Sequence, residues 1–287
     1  MRTTCSERLE FLKCSSRGPS TPSRRVHESC FLLFPRLYQN KLETICARIA
    51  GMNGLAVRVL ENEIMDQPGL DVAAHQQALT GIGRVNWISG IERILWNALL
   101  SFRSPENVRP LRVFDLACGG GDVSIQLAQR AVRQGIPIEF TGVDISQTAV
   151  DFAQSRAKNL KLTNIQFRQC NVLRDPWPGA CDVAMSSLFL HHLNDSQALV
   201  LLQRMAKLPE RGFLLDDLCR SRLGYFLAWC GVRLLTRSSI VHFDGPASVR
   251  AAYQIQEVRS LAVQAGLSGM TFQRHWPQRF LMAWKSR

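Results

Sequence analysis

Between residues 113 and 122 the chain reads Val-Phe-Asp-Leu-Ala-Cys-Gly-Gly-Gly-Asp. Glycines at 119 and 121 let a ligand approach the backbone closely, and the carboxylates of Asp115 and Asp122 flank the turn. A dinucleotide fingerprint needs a third glycine, but Ser124 stands at that position, and two carboxylates repel a pyrophosphate. They suit a ligand with a cationic amine and a cationic sulfur, which favours S-adenosylmethionine over NAD. Asp144 follows 23 residues after Gly121, where an acid accepts bonds from both hydroxyls of a ribose. Asn171 can bond an adenine amino group through its side-chain oxygen, with Ile145 and Val172 packing on the ring. Each residue also has a plainer reading: a tight turn for the glycines, a helix cap for Asp144, a loop cap for Asn171.

A second group of residues has the chemistry to handle an acceptor. Ser-Ser-Leu-Phe-Leu-His-His-Leu at 186–193 carries adjacent His191 and His192, which cannot point the same way on a regular element. One is expected to face the site, and His192 is the candidate. His242 and Asp244 can orient or deprotonate a hydroxyl. Of Asp216 and Asp217, one is expected at the acceptor and the other as a cap. Residues 220–244 are apolar nearly all round, and such a helix must be covered on more than one side. It reads either as core or as a lid over an aromatic or lipid-like acceptor, with Tyr225, Phe226 and Trp229 lining the pocket.

These residues need a frame. Helical spacing is seen over 72–80 and 84–100, where Ile88, Ile91, Ile94, Leu95 and Ala98 recur on one face. Strands are predicted at 111–116, 138–143, 165–169, 181–186 and 211–216. Between them lie helices at 122–133 and 146–160, and one from Asp195, as its cap, to Lys207. A mostly helical region ends near 265, and two closing strands, 269–275 and 278–284, suggest a hairpin. Alternating strands and helices argue for a mostly parallel sheet with helices on both faces; the hairpin adds an antiparallel strand.

With these elements in place, D-L-A-C-G-G-G-D, G-V-D-I-S and S-S-L-F-L-H-H-L resemble the class I S-adenosylmethionine-dependent methyltransferases over Leu111–Trp284. The similarity is to the small-molecule branch exemplified by ubiquinone and menaquinone biosynthesis. It implies a Rossmann-like α/β fold, a seven-stranded sheet in the order 3-2-1-4-5-7-6, and the cofactor over the carboxyl ends of the first strands. It places Asp115, Gly119 and Gly121 around the methionine part, Asp144 at the ribose and Asn171 at the adenine, where the family often has Asp. The expected activity is methyl transfer to an oxygen or carbon of a small, largely apolar acceptor such as a phenol, polyketide or quinone precursor. No metal is called for. The alternatives are an RNA or protein methyltransferase, or an inactive Rossmann-like binding domain. The chain lacks the Asn/Asp-Pro-Pro-aromatic motif of amino-group enzymes and the Pro-Cys of RNA cytosine-5 enzymes, which weighs against nucleic acid.

Composition agrees with that class. The 287 residues are 46% hydrophobic and 20% charged, enough for a sizeable core. The net charge of +12 is scattered, with no like-charge block. No apolar run is long enough to span a bilayer, and peripheral membrane contact is left open. Nine cysteines form no C-x-x-C pair and read as reduced, mostly buried thiols of a cytoplasmic protein. Residues 1–64, with the linker-like 15–25, are expected to be a disordered or mis-started extension, and Cys30–Ile49 a marginal helix. The methyltransferase-like domain is expected over 65–287: a helical lead-in (65–110), a cofactor half (111–207) and an acceptor side with the closing hairpin (208–287).

Overall fold

The computed structural model describes residues 54–67, 69–103 and 109–286. The expectations for 15–25 and 30–49 lie outside these. Two helices lead in: α1 (Val72–Ser89), capped by Asp71, and α2 (Ile91–Leu100). The break expected near residue 81 is absent; the chain turns instead at Gly90, whose φ of 68° is left-handed. On α2, Ile91, Leu95 and Leu99 repeat every four residues and are completely buried, so the helix is anchored along one stripe.

The alternating part follows as β1 (Leu111–Leu116), α3 (Asp122–Gln134), β2 (Ile138–Asp144), α4 (Gln147–Asn159), β3 (Ile165–Gln169) and β4 (Val183–Ser187). It continues with α5 (Asp195–Lys207), β5 (Gly212–Leu218), α6 (Arg222–Leu235), α7 (Ser239–Ala251), α8 (Ile255–Gln264), β6 (Thr271–His275) and β7 (Arg279–Lys285). The α5 cap is Asn194, paired with Gln197 in a capping box, rather than Asp195.

The seven strands form one sheet in the order 3-2-1-4-5-7-6, with β7 antiparallel to β5 and to β6. Strands β1, β4 and β5 are buried on both faces, as a parallel sheet between two helical layers requires. One layer packs Leu95, Trp96 and Leu99 with Leu127 and Val183; the other packs Leu201, Leu202 and Met205 with Phe213 and Phe280. β1 pairs with β2 on one side and β4 on the other, so the chain leaves β1 in opposite directions. That switch point opens a crevice at the carboxyl ends of the strands, where ligands of such sheets bind.

One boundary moves. Residues 54–64, assigned by sequence to the extension, pack on this domain. Leu55 is buried, and Val59 N–H donates to the Arg250 carbonyl at 3.1 Å. Arg58 donates to the carbonyls of Ala251, His191 and Leu193 at 2.5, 2.9 and 2.6 Å, with its guanidinium 3.7 Å above the Tyr253 ring. A long apolar stem under a five-donor fork lets one arginine satisfy three carbonyls and cover an aromatic face.

Candidate active site

The crevice is a single cavity of about 700 Å³, within the range of small-molecule sites. At one end stand the glycine loop and the tip of β2. Asp144 accepts from Gly119 N–H at 2.8 Å and from Ser146 N–H at 2.9 Å, so its carboxylate ties the loop to the start of α4. Burial raises its pKa, partly offset by those two N–H groups. Asp115, at the end of β1, is buried in the cavity wall. Burial pushes its pKa up to about 7, with Ser124 pulling the other way and Asp122 and Asp144 adding repulsion. Among the described residues no cation meets Asp115, and a buried carboxylate of that kind fits the amine of a ligand such as S-adenosylmethionine. Ile145 is 65% exposed on the rim and offers an apolar surface to a flat ring.

Three expected cofactor contacts are placed otherwise. Gly119 and Gly120 line the cavity, but Gly121 does not. Its φ is +70°, and a Cβ there would sit 2.7 Å from Phe167 and 3.0 Å from Ala153, so it serves close packing of α3. Asn171 is spent on a turn: its Oδ1 accepts from Leu173 N–H at 3.0 Å. Val172 is buried in the core beside Trp177. Neither of the two lines the cavity.

At the other end the histidines meet. After β4 a short 3-10 turn, Leu190–His192, presents both rings, 4.3 Å apart between centroids. His191 is buried, with Nδ1 2.6 Å from Asp217 Oδ1 and Nε2 3.6 Å from Glu63 Oε1. Burial opposes charge on this ring, but Asp217 and Glu63 outweigh it and raise its pKa to about 10. His192 is partly exposed; Nδ1 lies 2.8 Å from Asp66 Oδ2 and Nε2 3.8 Å from Glu63 Oε2. All three cavity-lining residues, Glu63, His191 and His192, thus turn towards one point.

The other acceptor-side residues divide. Asp244 lines the cavity, but its two oxygens accept from Ile64 N–H at 2.9 Å and Met65 N–H at 3.1 Å. Burial raises its pKa to about 6, offset in part by the Ile64 bond. It caps the turn Ile64–Asp66 and so positions Glu63 and Asp66. His242 is outside the cavity, its Nε2 2.8 Å from the Thr236 carbonyl. Tyr225, Phe226 and Trp229 also fall outside the lining. Helix α6 faces the cavity with Leu227, Ala228, Gly231 and Leu235, while Phe226 is 56% exposed and Trp229 carries Arg233 over its ring at 4.2 Å. The helix does border the site, but with its small and aliphatic face.

Sequence reasoning missed Glu63, because it was assigned to the extension, and Arg279, which lies buried in the cavity wall. Arg279 bonds Asp216, Asn86 and Ser187, and His275 Nε2 is 2.6 Å from the same Asp216. The pairing of His191 with Asp217 had one signal: β4 and β5 are neighbours in this topology, so their ends meet.

The methyltransferase-domain family model matches residues 108–228. The ubiquinone biosynthesis O-methyltransferase of Albidiferax ferrireducens is 26% identical over 152 residues, which cover 47% of this chain and 58% of that protein. The chain therefore spans a little over half the length of this curated relative. Among solved structures, a putative O-methyltransferase from Nostoc punctiforme aligns over 89% of this chain and 71% of its own, at 16% identity and a TM-score of 0.55. The citrinin polyketide synthase CMeT domain aligns over 70% and 55%, at 17% identity and a TM-score of 0.52. At those identities the two structures bear on the fold alone.

Proposed function

We propose that this chain, which carries a class I S-adenosylmethionine-dependent methyltransferase domain, methylates an oxygen or carbon of a small, largely apolar acceptor. One observation carries the reading. A single cavity joins the acidic glycine-loop end to an aliphatic wall and to the Glu63–His191–His192 cluster. The aliphatic wall comes from Leu79, Ile82 and Val85 of α1 and Leu227 and Leu235 of α6. Exposed Ile88, Leu234 and Trp276 extend it to the mouth, which suits an apolar compound such as a phenol, polyketide or quinone precursor. The relative's role in ubiquinone biosynthesis points the same way.

When bound, S-adenosylmethionine supplies a methyl group already activated on a sulfonium. The chain's residues then need to align, to keep dry and to take a proton. Asp115 would face the amine, and Asp144 holds the glycine loop in shape through Gly119 N–H. Helices α1 and α6 exclude water and hold the acceptor in line, a positioning effect that contributes about 7–11 kcal/mol in well-oriented systems. A neutral hydroxyl or carbon acid loses its proton to the cluster, where His192 is held through Nδ1 by Asp66 and turns Nε2 inward. Among the described residues Cys118, Cys170, Cys181, Cys219 and Cys230 are free thiols. No helix of the described residues is long and apolar enough to cross a membrane.

The test is calorimetry with S-adenosylmethionine, followed by transfer of labelled methyl to a panel of phenolic, polyketide and quinone-precursor acceptors. Cofactor binding with label on an apolar acceptor is expected. A folded protein that binds no cofactor would sink the reading, and label found only on RNA or protein would redirect it.

A further inference from the structure

We propose that Glu63, His191 and His192 form a binding site for one first-row divalent metal ion, with Zn2+ as the natural probe. Three features support this. The donor set is two imidazoles and a carboxylate, which suits borderline ions rather than Mg2+ or Ca2+. The donor atoms all lie within 4.8 Å of one another. The two carboxylate–imidazole separations, 3.6 and 3.8 Å, are close to the roughly 3.4 Å between ligands that share a tetrahedral ion at 2.0–2.2 Å. The two contacts use different oxygens of Glu63, Oε1 towards His191 and Oε2 towards His192, so the carboxylate straddles the point on which the two rings converge.

The surroundings match as well. Each histidine gives its Nδ1 to a carboxylate, His191 to Asp217 at 2.6 Å and His192 to Asp66 at 2.8 Å. That arrangement holds each ring with Nε2 towards the cluster, where an ion would take the place of the Nε2 proton, and it recurs around metal-bound histidines. Glu63 is likewise oriented, accepting from the Ser248 hydroxyl. Although adjacent in sequence, the two rings lie side by side, 4.3 Å between centroids, because the short turn ends at His192 and each ring is pulled by its own carboxylate, Asp217 or Asp66. Three protein ligands leave a fourth position, and all three line the cavity. With an ion in place both Nε2 atoms would ligate it and His192 would no longer serve as the base; the open position would bind the acceptor oxygen, whose proton would leave to solvent more readily. This last role rests on the proposed methyl transfer; the metal site itself does not.

The full, tag-free chain is stripped with a chelator and titrated with Zn2+ against a fluorescent competitor, with metal content measured after gel filtration. Co2+ loading adds a visible-absorption readout of tetrahedral coordination. One ion per chain is expected. His192→Gln should abolish or strongly weaken binding. Asp66→Asn, at a half-exposed side chain that touches no ion, should weaken it about 10- to 100-fold. Melting curves establish that the variants are folded. No bound Zn2+ in the folded chain overturns the site, as does equal binding in both variants, which would place the ion elsewhere. Cofactor calorimetry on the same samples separates the readings. Zinc without cofactor leaves the site standing and the methyltransferase reading fallen; cofactor without zinc does the reverse.

Discussion

Asp115 and Asp144 sit 29 positions apart on neighbouring strand ends yet have different tasks, set by their partners. Asp144 has both oxygens engaged by backbone N–H groups, so its removal should loosen the glycine loop and the start of α4. Asp144→Ala should weaken S-adenosylmethionine binding by about 1.5–3 kcal/mol, or roughly 10- to 100-fold. Unchanged affinity by calorimetry in a folded variant would remove Asp144 from the cofactor site. Asp115 should appear in the pH dependence. Its folded pKa is raised from 3.8 to about 7, so between these values the folded chain holds a proton that the unfolded chain has released. Stability of the ligand-free protein should therefore fall as pH rises through that window. An amine bound at Asp115 prefers the ionised form. Cofactor affinity should thus climb from pH 6 towards pH 7, by up to about tenfold per unit, and level off above. Asp115→Asn should flatten this slope; a wild-type affinity independent of pH would show that no cation meets this carboxylate.

Helix α6 shows what one face of an element decides. A Cβ placed on Gly231 would meet nothing within 4 Å, and the residue lines the cavity. Gly231→Leu should fill acceptor space: kcat/KM for the acceptor should drop at least about tenfold while cofactor affinity stays the same. Gly231→Ala should leave the pocket nearly intact and stabilise the helix by about 0.5–1 kcal/mol, readable as a higher Tm. Phe226 is mostly exposed, so Phe226→Ala should change stability by no more than about 0.5 kcal/mol and leave acceptor kinetics alone. A large loss of acceptor turnover in Phe226→Ala, with Gly231→Leu silent, would mean that α6 presents its other face.

Across the molecule, the strap at residues 54–66 joins parts distant in sequence. Arg58 ties it to the ends of α7 and of the histidine turn, Asp244 caps its 3-10 turn, and Glu61 pairs with Arg250. Through this strap Glu63 and Asp66 reach the two histidines. Arg58→Ala leaves three carbonyls without their donor and uncovers the Tyr253 ring. It should cost about 3 kcal/mol, or roughly 6–12 °C in Tm for a domain of this size. If Tm falls by less than about 2 °C in that variant, the strap contributes little to holding the domain together.

The sequence alone determined the frame and the residues of the glycine-loop end of the crevice. Strand and helix alternation is a local property, written in residue periodicity, and it foresaw every strand of the sheet to within two residues. The glycine loop and Asp144 were legible because a close backbone approach and a carboxylate at a strand end leave short, fixed spacings. The fine use of each side chain was not legible. Asn171 and His242 carry the right chemistry, but a turn and a helix end claim their atoms first. The aromatic face of α6 was expected over the acceptor, yet a helix apolar nearly all round does not reveal which side is covered. Packing against α7 settled that, where a Cβ on Gly245 would lie 2.7 Å from Val232. Glu63 and His191 are 128 positions apart, and nothing in periodicity links them. Only the tertiary structure brings them together, because the meeting depends on a strap held by backbone carbonyls, and hydrogen bonds to carbonyls leave no residue pattern in their acceptors.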